Sequence, residues 1–123
     1  MANRMTASLF AATLLTASST QAHPKLLQST PAANGRVAAP STITLVFNEK
    51  LVPQFTGVDL TMTTLPGMTE TKIASLASSI AANGKTLSVR PRARLAPGGY
   101  RVDWHAVAAD THRIKGSFSF TVR

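Results

Sequence analysis

Between Ser41 and Phe47 the chain reads Ser-Thr-Ile-Thr-Leu-Val-Phe. In an extended backbone this sends Ile43, Leu45 and Phe47 to one side and Thr42, Thr44 and Val46 to the other. A helix would scatter the same side chains around its circumference, so the segment predicts a half-buried strand. The alternation recurs in Val58, Leu60 and Met62 of residues 57–63, in Leu87 and Val89 of residues 85–90, and in Tyr100, Val102, Trp104 and Ala106 of residues 100–106. It recurs once more in Phe118, Phe120 and Val122, while residues 73–77 form a weaker candidate. Turn formers separate these runs: Asn34-Gly35, Pro40, Pro66-Gly67, Asn83-Gly84 and Pro97-Gly98-Gly99. With no amphipathic helix between them, about six or seven short strands predict an all-β domain, an antiparallel sandwich or Greek-key barrel.

The first 22 residues read differently. Met-Ala-Asn-Arg carries one positive charge, an apolar run rich in small residues follows, and Thr20-Gln21-Ala22 ends on a small residue. That is the layout of a secretory signal peptide, and the apolar part is shorter than the roughly 20 residues that span a bilayer. The expected organisation is a cleaved leader over residues 1–22 and one soluble domain over residues 23–123. Cleavage after Ala22 makes His23 the first residue, with both an imidazole and a free α-amine; cleavage after Ser19 would leave it ordinary.

An exported domain of about a hundred residues without cysteine has no disulfide to restrain its unfolded state, so it depends on packing, a metal, or both. Any metal must be held by His, carboxylate, Met or amine. The net charge is +8, one less without Arg4. The basic residues are scattered apart from Arg90, Arg92 and Arg94, which alternate as one face of a strand end would. One Trp and one Tyr give no platform for stacking bases, so nucleic acid is not an expected partner. The charge reads as a solvated surface able to meet acidic envelope components.

Three histidines are present: His23, His105 and His112. His105 alternates with Arg101 and Asp103 on the outward side of its strand and reads as a surface residue. His112 sits in Ala-Asp-Thr-His, a polar break between two strands. Asp110 and His112, two apart, point the same way from an extended loop and offer an oxygen and a nitrogen to one point. The competing reading is a turn-capping Asp beside an exposed His. A terminal His23 would add an amine and a ring nitrogen as a chelate. Nitrogen and oxygen donors in tetragonal array suit Cu(II). Pro24 has no N–H to recruit, so the chelate must be completed from elsewhere in the fold. Because the amine has a reference pKa near 7.7 to 8.0, affinity should fall with pH.

The blocks HPKLLQSTPAANG, LVFNEKLVPQFTGVDLTM, LPGM and LAPGGYRVDWHAVAADTHRIKGSFSFTV resemble, in order and spacing, the periplasmic copper-resistance protein C family, usually called CopC. The resemblance covers essentially all of residues 23–123. It implies a small Greek-key β-barrel or sandwich of the cupredoxin or immunoglobulin kind, periplasmic location, and a role in copper homeostasis and resistance. By motif it implies one Cu(II) per chain on His23, Asp110 and His112, with Glu49 of Phe-Asn-Glu-Lys-Leu beside the site. Many members also carry a Cu(I) site in a Met-rich loop that includes a histidine. The matching stretch here keeps only Met62 and Met68 and has no histidine, so the Cu(I) site reads as degenerate. The expected function is a non-enzymatic copper carrier or buffer, with the copper ion and a CopD-like inner-membrane copper transport protein as partners. Two other classes share some features: a copper-dependent oxidative enzyme with an N-terminal histidine chelate, and a metal-free β-sandwich interaction domain. The first would need aromatics for sugar rings and an open copper position. The second would place the N-terminus and residues 110–112 at opposite ends.

Overall fold

Ile43, Leu45 and Phe47 do turn inward, with at most 1% of their surface exposed. The computed structural model describes residue 13, residues 24–64 and residues 69–123. Within them the strands are β1 (Leu26–Thr30), β2 (Arg36–Val37), β3 (Ile43–Phe47), β4 (Gly57–Thr64), β5 (Thr71–Lys72), β6 (Leu76–Ile80), β7 (Thr86–Pro91), β8 (Gly98–Val107) and β9 (Arg113–Val122). One sheet runs β1-β3-β7-β6 and the other β2-β9-β8-β4-β5. They face each other as a sandwich and do not close into a barrel. All described pairings are antiparallel except β2 with β9, where Arg36 lies opposite Thr121 and Val37 opposite Val122. The nine strands exceed the seven expected because β2 and β5 are two-residue edge pieces. No helix among the described residues is long and apolar enough to cross a membrane.

The period of two decides what is buried. Leu60, Leu87, Val89, Tyr100, Val102, Trp104, Ala106, Phe120 and Val122 all point between the sheets and are buried. Val58, Met62 and Phe118 pack partly buried against them. Each fully buried Val, Leu, Ile or Phe contributes about 1.5–3 kcal/mol, which is how a domain without disulfides holds together. One ring contact ties the two sheets and a second braces the β8–β9 pair within one of them. Phe47 meets Trp104 edge-on with centroids 5.3 Å apart, and Tyr100 stacks on Phe120 at 5.6 Å. The Tyr100 hydroxyl donates to the Ala96 carbonyl at 2.7 Å, so a buried ring keeps its polar tip satisfied at the start of β8.

The turn signals at Asn34 and at Asn83-Gly84 act where they were read, and Pro66-Gly67 lies outside the described residues. Asn34 and Gly84 have φ of 63° and 74°. Asn83 Oδ1 accepts the N–H groups of Lys85 and Thr86, folding the β6–β7 hairpin. Two readings are corrected. The strand placed at residues 73–77 is β6, three residues later, in register with β7 from Leu76 opposite Pro91 to Ile80 opposite Leu87. Of the three alternating arginines only Arg90 lies in a strand; Arg92 and Arg94 follow the end of β7.

Candidate metal site

β8 and β9 form a long hairpin whose last pair is Val107 opposite Arg113. The residues between carry the candidate ligands. They are not extended: the Thr111 N–H donates to the Ala108 carbonyl at 2.9 Å, closing a turn, and Thr111 then takes a φ of 67°. A turn followed by one left-handed residue is a common hairpin closure, usually with Gly at that position. The local fold is therefore a turn where an extended loop was expected, yet Asp110 and His112 still meet. Asp110 Oδ1 accepts the His112 backbone N–H at 3.2 Å, and Oδ2 lies 3.1 Å from His112 Nδ1. So Asp110 does cap the turn, as the competing reading held, and it also faces the ring. The two side chains are 27% and 53% exposed respectively, within reach of solvent ions.

Residues 24 and 25 lie at the same end. Pro24 is buried, and the Lys25 N–H donates to Asn48 Oδ1 at 2.6 Å while Asn48 N–H donates to the Lys25 carbonyl at 3.1 Å. This reciprocal pair continues the β1–β3 ladder beyond Leu26 opposite Phe47. Three residues on, Leu51 bridges Ala108, and the Val52 N–H donates to the Val107 carbonyl at 2.8 Å. Residues 48–52 thus connect the N-terminal segment to the Asp110–His112 turn. Glu49, half-buried, is in that connection. Thr56 adds a further tie, its Oγ1 accepting the Val107 N–H at 3.2 Å.

His23 lies outside the described residues, as does Met68. Two residues of extended chain reach at most about 7 Å, which bounds how far His23 can stand from Lys25. Among the described residues no three or more His, Asp or Glu side chains group around one point, so Asp110 and His112 together offer two donor atoms. Their 3.1 Å separation fits two cis donors on one ion, since bonds of about 2.0–2.2 Å at right angles put donors about 3 Å apart. Met62 belongs elsewhere. It is opposite Tyr100, seven residues of β8 from Val107, hence about 23 Å along the sheet, and it packs partly buried against the core.

His105 is outward, as expected, but half-buried rather than solvated, because its ring lies over Gly57. A Cβ added there would come within 3.2 Å of Cε1. It borders an open depression of about 520 Å³ on the outer face of the five-stranded sheet, with Asp59, Asp103 and Lys115. The acids there are already paired: Lys72 with Asp59, and Arg101 with both Asp103 and Glu70, at 3.0–3.1 Å. Burial pushes the Asp103 carboxyl up, but hydrogen bonds from Arg101 and Ser117 and the Arg101 charge outweigh it and hold the group below its usual value. Bonding to Glu70 and Asp103 in turn keeps Arg101 charged. This face is a salt-linked surface.

Sequence reasoning overlooked Asn48 and Thr111. The partner of Asn48 is 23 residues away, beyond any local pattern. Nothing in Asp-Thr-His signals a left-handed threonine.

Comparison with known proteins agrees with this architecture. The CopC domain model matches residues 26–123. The chain is 47% identical over 116 residues to the copper resistance protein C of Pseudomonas syringae pv. tomato, covering 94% of this chain and 92% of that one. It superposes on the crystal structure of PcoC, a methionine-rich copper resistance protein from Escherichia coli, with a TM-score of 0.77 and 43% identity, covering 83% of this chain and 100% of that one. CopC from Methylosinus trichosporium OB3b gives 0.67 at 25% identity, covering 81% and 93%. A family model spanning both sheets and the Asp110–His112 turn, with relatives of matching length, identifies the chain as a member of the CopC domain family.

Proposed function

We propose that this protein is a periplasmic Cu(II) carrier or buffer in copper homeostasis and resistance, with one ion per chain and no catalytic role. In this reading residues 1–22 are removed on export. The α-amine and ring of His23 chelate the ion from one side, His112 adds a nitrogen and Asp110 an oxygen, and Glu49 stands nearby. Asp110 would keep its bond to the His112 N–H through Oδ1 and turn Oδ2 to the metal. Met62 remains a core residue, so Cu(I) is not held by the methionine pair, and a CopD-like inner-membrane protein is the exchange partner.

One observation carries this reading: the N-terminal segment and the Asp110–His112 turn share one end of the sandwich, joined through Asn48 and Leu51. Opposite ends would have favoured the metal-free interaction domain. The test is anaerobic Cu(II) titration of residues 23–123 followed by electron paramagnetic resonance, beside a variant with one extra Gly before His23. One equivalent with nitrogen hyperfine structure, strongly weakened by the added residue, is expected. Equal and weak binding in both would remove the terminal chelate and the proposed function with it.

A further inference from the structure

Two large apolar side chains among the described residues stand more than half exposed, Leu27 at 60% and Phe55 at 62%, and both belong to the end that carries Asp110 and His112. Leu27 follows the Leu26–Phe47 pair at a bulge in β1. Phe55 is held on a short 3-10 turn, Pro53–Phe55, fixed by Pro53 at its start and by the Phe55 N–H donating to the Val52 carbonyl at 3.1 Å. Its ring borders an apolar depression of about 360 Å³ with Val52, Val107, Thr111 and Arg113. Thr111 is the residue between the candidate ligands.

The same end carries exposed cations. Lys25 precedes β1, Lys50 packs its stem against Gly84, the Lys85 carbonyl accepts the Phe47 N–H, and Arg113 opens β9. None of the four is in an ion pair among the described residues, whereas Lys72 and Arg101 on the sheet face are paired. The opposite end is also basic, with Arg92 and Arg94, but among the described residues it has no large apolar side chain so exposed. Apolar projections surrounded by unpaired cations match an interface between acyl chains and anionic headgroups. A second copy of this chain is a poor occupant, because its own +8 charge would repel.

We infer that this end of the sandwich docks on an anionic lipid bilayer, inserting Phe55 and Leu27 among headgroups contacted by Lys25, Lys50, Lys85 and Arg113. Docking turns the Asp110–His112 turn toward the membrane. The inference does not depend on metal binding, and its test is made on metal-free protein.

The experiment is cosedimentation of residues 23–123, which contain every strand described, with vesicles of phosphatidylethanolamine and phosphatidylglycerol or of phosphatidylcholine alone. Binding is expected to the anionic vesicles, weakened by salt and absent on phosphatidylcholine. Phe55→Ser should weaken it about tenfold and Lys50→Gln about fivefold. Arg92→Gln at the opposite end should leave it unchanged. Circular dichroism verifies that each variant is folded. Equal binding to both vesicle types, or equal loss from Arg92→Gln and Lys50→Gln, would overturn the proposal. So would absence of binding at low salt, leaving an acidic protein surface as the occupant.

Discussion

Asn48→Ala separates the site from the fold. In the native protein Asn48 Oδ1 accepts the Lys25 N–H at 2.6 Å, while the reverse bond, from Asn48 N–H to the Lys25 carbonyl, uses backbone only and survives the substitution. The loss includes this hydrogen bond, about 0.5–1.5 kcal/mol net. It falls on a segment at the edge of the sheet, where local opening costs far less than global unfolding. For a segment docked about half the time, losing about 1 kcal/mol lowers the docked fraction roughly threefold. The apparent Kd for an ion that needs both arms rises in proportion. The buried Pro24 adds anchorage that the substitution leaves in place, so global stability should fall by no more than the bond itself. The assay is Cu(II) competition against a chromophoric chelator, beside urea unfolding followed by fluorescence of the single tryptophan. Asn48→Asp keeps an oxygen acceptor and adds negative charge near the cation, so it should bind at least as tightly as wild type. Unchanged affinity in Asn48→Ala, or equal loss in both variants, would refute the clamp.

Other consequences follow from single positions. Gly116→Ala in β9 would place a Cβ 2.7 Å from Trp104 Cε2, with Phe47 behind the indole; destabilisation of about 1–3 kcal/mol is expected, read as a lower urea midpoint and altered Trp104 emission. Thr111→Gly relieves a left-handed residue that costs about 1–2 kcal/mol, against about 0.5–1 for the added freedom of the unfolded chain. Thermal unfolding should therefore show a gain of about 0.5 kcal/mol, and a loss would mean that φ is not a burden there. Asp103 has a depressed folded value, so its contribution is present above its ordinary value near 3.9 and is lost as pH falls through the folded one. Asp103→Asn should flatten that part of an acid-unfolding curve and leave neutral titration untouched.

How much of this was legible from sequence depended on whether a strand has a core face. β3, β7 and β8 sit inside their sheets, and their alternation names the buried residues one by one. β1 is an edge strand with a bulge between Leu26 and Gln28, which breaks the period and exposes Leu27, so no pattern announces it. β6 shows only Leu76 and Ile80 to the core, with three exposed residues between, and its register comes from β7 rather than from its own sequence. β2 and β5 are too short for any periodicity.

The candidate site divides along the same line between local and non-local information. Asp110 and His112 are close in sequence, and a two-residue spacing brings them together under either backbone, extended or turned, so the pair could be read although the conformation could not. The link to Lys25 could not be read, because it runs through Asn48 and Leu51, each paired with a segment far away in the chain. That non-local link has a functional implication. In the proposed site, ligands on the mature N-terminus and on a hairpin turn, outside the close-packed interior, would separate without disturbing Phe47, Trp104 or Tyr100. Release then costs the undocking of a few N-terminal residues, whereas release from a buried cage would require opening the core. A carrier needs that difference, because an ion held only by peripheral arms can be both retained in solution and surrendered to a partner.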